Sequence, residues 1–387
     1  MLDPMATPRS LLIDPVHPMA YHLVSRCVRR SWLCGLDPLT GIDYSHRKEN
    51  LERRIVHLAL AFPVELWAFC IMSNHFHLAL LFHPTLHLTW SDEEVVRRWL
   101  HAFPPKAPPE SFQTELDLAA ELLLQDPERL AHCRHRLGSL STYMQHIKQP
   151  FAFQCNREDG VKGHFFEQRF YSGAILDEAA LLTTMTYIDL NPVRAGIADT
   201  LEQCAHTAAL HRLNVVKNTP ERLEQAIAPI ASGLGPETTP QGASDILVTA
   251  AAAEVDGEPV ESIETEVTAN TTSDTDTVTD TSGTDKNAAP PPTASPSTSP
   301  YLRPRLTEKM YQQHLRDIIR AERSPPGEAG PAPPDVLLWM ARLRTLGKPQ
   351  RAHGAAEALD RWLSARRLRP LEAPLPSTED IAVPEHP

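Results

Sequence analysis

His75 and His77 are the first residues whose types and spacing could do chemistry. They flank Phe76 within an apolar run, HFHLALLF at residues 75–82. Alternate side chains of a β-strand share a face, so the two imidazoles project together while Phe76 and Leu78 point the other way. Two imidazoles held on a rigid strand are suited to bind a metal ion, but in a chain with 18 histidines an incidental pair is an open alternative.

The second feature is the stretch YIDLNPVRAG at residues 187–196. Tyr187 and Asn191 are four residues apart, so on a helix they share a face one turn from each other. Pro192 lacks an amide hydrogen and disfavours a helical conformation at Asn191, so the helix is expected to end there. The pattern predicts a phenol and an amide oxygen at an exposed helix end. The alternative is a core tyrosine followed by a helix stop.

Three further residues are candidates for contacting phosphate. Arg169 and Arg194 are cations in the segments 163–170 and 187–196, and each is equally suited to a structural ion pair. His164 lies beside a predicted strand, where it could bind DNA or serve as a hydrogen-bonded structural residue. The sequence leaves both interpretations open for all three.

The elements that must position these side chains have an α+β order. Apolar periodicity predicts a strand at 21–27, a helix at 49–61 and a hairpin at 65–72 and 75–82. Helices follow at 91–100, 115–124 and 139–153, then a strand at 169–175 and a helix at 177–190 with Asp177 as its N-cap. This order is typical of a ferredoxin-like antiparallel sheet with helices on one face.

The charge is unevenly distributed, and it divides the chain into three regions. Residues 1–215 carry a balance of −4, residues 216–300 a balance of −11, and residues 301–387 a balance of +3. We predict that residues 216–300 are an acidic, disordered linker, because residues 238–300 are rich in Thr, Ser, Ala, Asp, Glu and Pro. Residues 301–387 have helical patterns at 307–323, 335–346 and 355–367 and form a small helical tail of unknown role. Because residues 1–215 are not basic overall, any DNA binding must depend on local patches.

The six cysteines and the apolar runs indicate the cellular compartment of the protein. The cysteines are scattered without a CxxC pair, which favours reduced thiols over a disulfide framework or a zinc cluster. No apolar run is long enough to span a bilayer, and no secretory signal is recognisable. We therefore expect a cytoplasmic protein without a membrane partner.

Three motifs in order resemble the single-tyrosine HUH transposases, and especially the REP-associated tyrosine transposases. They are MSNHFH at 72–77, GHFFEQRF at 163–170 and YIDLNPVRAG at 187–196, and the resemblance covers roughly residues 15–210. It implies a ferredoxin-like catalytic domain over residues 1–215. It also implies that Tyr187 is the nucleophile, that His75 and His77 bind a metal, and that Asn191 is the third ligand.

The activity implied by this resemblance is cleavage and rejoining of single-stranded or hairpin DNA. The phosphate would be linked to Tyr187 at the DNA 5′ end and a 3′ hydroxyl would be released. Mixed nitrogen and oxygen ligation fits Mg²⁺ or Mn²⁺ as the cofactor. Related enzymes form the active site either within one chain or across a homodimer, and the sequence leaves this choice open.

Two other functions are compatible with the same residues. One is a nucleic-acid-binding protein on this scaffold that has lost catalysis. The other is a metal-dependent nuclease in which water attacks the phosphate and Tyr187 is structural. The presence of His75, His77 and Tyr187 together favours the transposase-type reaction.

Overall fold

The computed structural model describes eight stretches of the chain. They are residues 7–28, 34–37, 40–167, 169–234, 302–323, 333–347, 350–371 and 374–378. Residues 235–300 of the predicted linker lie outside the described residues.

The central unit has the βαββαβ order that the sequence predicts. Its strands are β1 (Met19–Arg26), β2 (Val64–Ile71), β3 (His75–Phe82) and β4 (Tyr171–Ile175). Its helices are α2 (Ser45–Ala61) and α6 (Leu140–Glu158), and a short α1 (Arg9–Leu12) precedes the unit. Between β3 and α6 the chain adds α3 (Asp92–Ala102), α4 (Phe112–Leu124) and α5 (Pro127–Leu137).

Within the described residues the sheet has six strands in the order β5-β2-β3-β1-β4-β6, where β5 is Ala231–Ser232 and β6 is Ala352–His353. The four central strands are antiparallel and follow the ferredoxin-like order β2-β3-β1-β4, so the predicted α+β fold is confirmed. Strand β5 (Ala231–Ser232) adds to β2 in an antiparallel pairing. Strand β6 (Ala352–His353) pairs with β4 and is parallel to it.

The two faces of the sheet are covered by different helices. Phe76 contacts Phe166, which in turn contacts Phe151 of α6, and α2 packs beside α6 on this face. His77 lies on the opposite face, against which α7 (Glu178–Asp189) packs. The helices of the ferredoxin-like unit therefore lie on one face, and α7 adds a layer on the other.

Helix α7 has the boundaries that its capping residues dictate. The Asp177 side chain accepts a hydrogen bond from the Ala180 amide at 2.8 Å, which satisfies a backbone donor of the first turn. The helix ends at Asp189, and a single turn α8 (Asn191–Arg194) with Pro192 follows directly. This break places Tyr187 in the last turn of α7 and Asn191 at the start of α8.

The region after α8 stays part of the folded structure beyond residue 215. Helix α9 (Ala208–Asn218) extends across that boundary, and β5 pairs with β2. Residues 216–234, which the sequence assigns to the linker, are thus built into the fold.

The helical C-terminal part packs on the same core. It consists of α10 (Glu308–Arg323), α11 (Pro334–Leu346), β6 and α12 (Ala356–Ala365). Helix α11 packs on α7, and the buried Tyr311 hydroxyl of α10 donates to the buried Asp189 carboxylate at 2.8 Å. The sequence predicted the helices of this part; their contacts with the helix that carries Tyr187 are a finding of the structure.

All six cysteines are buried and free of disulfide bonds. In the described part of the chain, no helix is both long and apolar enough to cross a membrane.

Tyr311→Phe is expected to loosen the C-terminal part from α7. It removes one donor to the buried Asp189 carboxyl and should lower the free energy of unfolding by about 1–3 kcal/mol. Urea denaturation measures the change. Tyr143→Phe is the matched control, because this buried hydroxyl donates to a neutral acceptor, the Ile55 carbonyl, at the longer distance of 3.3 Å. Equal losses in the two variants would contradict a special role for the Tyr311–Asp189 contact.

Candidate active site

His75 and His77 lie side by side on the central strand β3. In the register, His75 is opposite Arg26 of β1, and His77 is opposite Val24 of β1 and Cys70 of β2. The centroids of the two imidazole rings are 4.8 Å apart. Because β3 is paired on both sides, the backbone that carries the two rings is fixed.

Each of these imidazoles has its Nδ1 atom engaged by a neighbour. His75 Nδ1 is 2.6 Å from Asn74 Oδ1, which can only accept, so this nitrogen carries the proton. His77 Nδ1 is 3.0 Å from Nε2 of His22, a buried residue of β1. Both contacts leave Nε2 as the nitrogen that could bind a cation.

Burial keeps these imidazoles neutral. Desolvation, followed by the nearby Arg26 charge, lowers the pKa of His75 to about 4. Desolvation, followed by the neighbouring His22, holds the pKa of His77 well below its ordinary value. Neutral imidazole is the form that ligates metals, so both rings are in the ligating state at neutral pH.

Tyr187 and Asn191 come over the same face from α7 and α8. The Tyr187 ring centroid is 5.6 Å from that of His77 and 6.1 Å from that of His22. Asn191 Nδ2 is 3.4 Å from His77 Nε2. Tyr187 and Asn191 are both partly exposed, and among the described residues the Tyr187 hydroxyl has no hydrogen-bond partner. The phenol is therefore accessible from solvent beside the two histidines.

The geometry of this set fits a single divalent cation. A cation ~2.1 Å from a ring nitrogen lies ~3.2 Å from the ring centroid, so two ligating rings have centroids roughly 4.5–5.2 Å apart. The 4.8 Å between His75 and His77 falls in this range. Turning the Asn191 amide about its terminal bond exchanges Nδ2 for Oδ1. Its oxygen then stands 3.4 Å from His77 Nε2, the spacing of two ligands on one cation.

In the described residues, no metal site is built from His, Cys, Asp and Glu side chains alone. No group of three or more His, Cys, Asp or Glu side chains that could hold a metal ion occurs there. The predicted ligand set contains only two residues of these types, His75 and His77, and takes its third ligand from an amide.

Three further side chains complete the cluster: His22, Tyr171 and His353. The His22 ring lies 5.8 Å from the Tyr171 ring and 5.8 Å from the His353 ring. The Tyr171 hydroxyl lies 3.1 Å from His353 Nε2 and donates to the Gln350 carbonyl. Burial lowers the pKa of His353 to about 4, and it holds the pKa of His22 well below its ordinary value. Strand alternation predicts that His22 points to the face opposite to that of Tyr21. The register that brings His22 to His77, and the approach of β6, depend on tertiary structure and cannot be predicted from the local sequence.

The three candidate phosphate-contacting residues lie in different places. Arg194 has its guanidinium carbon 5.4 Å from the Tyr187 ring centroid, and it forms an ion pair with Glu322 of α10 at 3.4 Å. Arg169 and His164 are exposed, and in the part of the chain that the structure describes neither contacts the two imidazoles. Of these three, only Arg194 adjoins the candidate nucleophile.

Comparisons with known proteins give one structural match. No family model matches the chain, and no curated protein matches it. A solved structure described as that of the REP-associated tyrosine transposase bound to a REP hairpin matches at 15% sequence identity with a TM-score of 0.30. The match covers 52% of this chain and 83% of the other.

Gly173 is the residue of β4 that makes room for the Tyr171–His353 contact. A Cβ atom at this position would stand 2.4 Å from the Tyr171 hydroxyl oxygen and 2.8 Å from His353 Nε2. Gly173→Ala should therefore cost about 1–3 kcal/mol of stability through overpacking. Thermal unfolding measures it.

A double-mutant cycle tests the cause. In a Tyr171→Phe background the nearest atom is removed, so Gly173→Ala should cost less than it does in the unmodified chain, although the ring carbon Cζ still lies 3.0 Å away. Strict additivity of the two substitutions would show that the clash is not with the Tyr171 hydroxyl.

Proposed function

We propose that this chain is a metal-dependent DNA strand transferase of the tyrosine transposase type, acting on single-stranded or hairpin DNA. The observation that carries the proposal is the meeting of an accessible phenol, two neutral imidazoles and an amide on one face of the sheet. The ring centroids of Tyr187 and His77 are 5.6 Å apart, and Asn191 Nδ2 lies 3.4 Å from His77 Nε2. The three sequence motifs support the same reaction.

In the proposed reaction, the Tyr187 oxygen attacks the phosphorus of a phosphodiester. The new bond joins this oxygen to phosphorus, and the bond from phosphorus to the 3′ oxygen breaks. The phenol loses its proton, and the leaving 3′ oxygen gains one. The products are a 5′-phosphotyrosine and a free 3′ hydroxyl, and reversal with another 3′ hydroxyl rejoins the strand without an energy source.

His75, His77 and Asn191 would hold the divalent cation, Mg²⁺ or Mn²⁺. When bound, such an ion supplies a Lewis acid that polarises the phosphate and stabilises the developing negative charge. His22 orients the His77 ring through its contact with Nδ1, as the partners of metal-binding histidines commonly do.

The two rival functions differ in what they leave behind. A nuclease that uses water cleaves DNA without a covalent protein–DNA species. A protein that only binds nucleic acid leaves the strand intact. The accessible Tyr187 hydroxyl beside the candidate metal ligands favours strand transfer over both.

Tyr187→Phe should abolish the covalent product while leaving DNA binding in place, because it removes only the nucleophilic oxygen. The chain is incubated with labelled hairpin DNA and Mn²⁺ and run on a denaturing gel. Tyr44→Phe is the matched control, since Tyr44 is also partly exposed but lies at the start of α2. A slowly migrating protein–DNA band that persists in Tyr187→Phe would exclude this residue as the nucleophile, and cleavage without any such band would favour the water-using nuclease.

His22→Gln should weaken cation binding in the absence of DNA. Loss of the residue that orients a metal-binding histidine typically costs roughly 10–100-fold in affinity. Titration with Mn²⁺, followed by electron paramagnetic resonance of the free ion, measures this directly. His83→Gln is the control, because His83 is a buried histidine whose imidazole contacts Glu65 at 3.1 Å, away from the candidate site. Unchanged Mn²⁺ affinity in His22→Gln would contradict the proposed role of the His22–His77 contact.

A further inference from the structure

Three cations lie near Phe166 and Phe170. The Arg9 guanidinium of α1 stacks on the Phe170 ring, with its carbon 3.4 Å from the ring centroid. The Lys148 ammonium of α6 lies 5.3 Å from the Phe166 ring centroid and donates to the Glu167 carbonyl at 3.4 Å. Arg169 lies between these two aromatic residues in the chain. We call Arg9, Lys148 and Arg169 the cation cluster.

The members of the cation cluster repel one another. Desolvation, followed by the charge of Arg169, lowers the pKa of Arg9 to about 10. Desolvation, followed by the charge of Arg9, lowers the pKa of Lys148 to about 8. Glu167 opposes this effect on Lys148. Arg9 and Lys148 are therefore like charges in partly desolvated positions, and Arg169 is exposed.

No carboxylate of the described chain forms an ion pair with any of the three. Arg9 donates to the Ser141 hydroxyl at 3.2 Å, and Lys148 donates to a backbone carbonyl. By contrast, the buried Arg47 forms ion pairs with Glu158 and Asp159. Binding of an anion would relieve the repulsion within such a cluster.

The cluster is adapted to a phosphate group in particular. Guanidinium groups match phosphate oxygens with paired donors, and an ammonium adds a compact charge. The Ser141 hydroxyl accepts from Arg9 and can donate its own hydrogen to an anion. Stacking on Phe170 fixes the Arg9 guanidinium before any ligand arrives, which lowers the entropy lost on binding.

The cluster lies at the end of the sheet that carries His75. Arg26 is opposite His75 in the register, and its carbonyl accepts a hydrogen bond from the Glu167 amide at 2.8 Å. Cys27 forms a bridge with Phe166, so the segment that anchors the cluster runs along the end of β1. The cluster therefore lies at the His75 end of the sheet, on the side that α6 covers.

We propose that Arg9, Lys148 and Arg169 form a phosphate-binding site that holds the backbone of a nucleic-acid strand flanking the bond to be cut. The identity of its ligand as a nucleic-acid strand rests on the proposed function. It accounts for how a chain of net charge −12 binds a polyanion: the contact is made by a local cluster and not by the overall charge.

The test uses the full chain and a triple variant, Arg9→Gln/Lys148→Gln/Arg169→Gln. Binding of a fluorescent hairpin with a single-stranded flank is measured by polarisation across a salt series. Each phosphate contact to a single strand contributes a slope of about 0.7 to the salt dependence, so the triple variant should lose about 2 in slope and roughly tenfold or more in affinity. A control triple variant, Arg129→Gln/Lys217→Gln/Arg361→Gln, changes the net charge equally at exposed positions elsewhere.

A second arm separates this proposal from the proposed function. Inorganic pyrophosphate should raise the melting temperature of the unmodified chain and of the control triple variant, and raise it less in the cluster variant. Equal DNA affinity and salt slope in the cluster and control variants overturn the proposal, even where the covalent product forms. If the unmodified chain binds no DNA, the proposed function and the DNA assignment both fail. The pyrophosphate shift then decides whether an anion site exists at all.

Discussion

The contact between His77 on β3 and His22 on β1 links the sheet to the candidate site. It joins two buried imidazoles across neighbouring strands and fixes which nitrogen of His77 faces Asn191. The contact exists only in one register of β1 against β3, because a shift by one residue turns His22 to the opposite face. Tyr21 and Leu23, buried on that opposite face, hold the register in place. The packing of one face thus determines the chemistry available on the other.

The C-terminal part contributes to the same region from a distance in sequence. The Asp189 carboxylate belongs to the segment that carries Tyr187 and Asn191, yet it contacts Tyr311 and the Ala209 amide. Arg194 pairs with Glu322, and His353 contacts Tyr171. Residues more than a hundred positions further along the chain therefore stabilise the position of the helix that carries Tyr187.

Much of the fold could be predicted from periodicity, since long amphipathic segments and the apolar hairpin have clear patterns. The strand at His75–Phe82 and the helix at Glu178–Asp189 with its Asp177 cap are examples. Strands β5 and β6 have two residues each, which is too short for any alternation to show. The candidate site was predictable where its residues share one element, as His75 and His77 do. His22 and His353 join it through strand register and a parallel pairing, and neither is encoded by local spacing.

The pairing of β6 with β4 also affects how the chain is made. Until residues 352–353 arrive, β4 presents an unpaired edge, and such edges recruit strands from other molecules. A ribosome adding about 5–20 residues per second needs roughly ten seconds or more to synthesise the intervening stretch. Nascent chains of this protein thus pass through an interval in which the sheet is open on one side, and aggregation competes with completion of the fold during that interval.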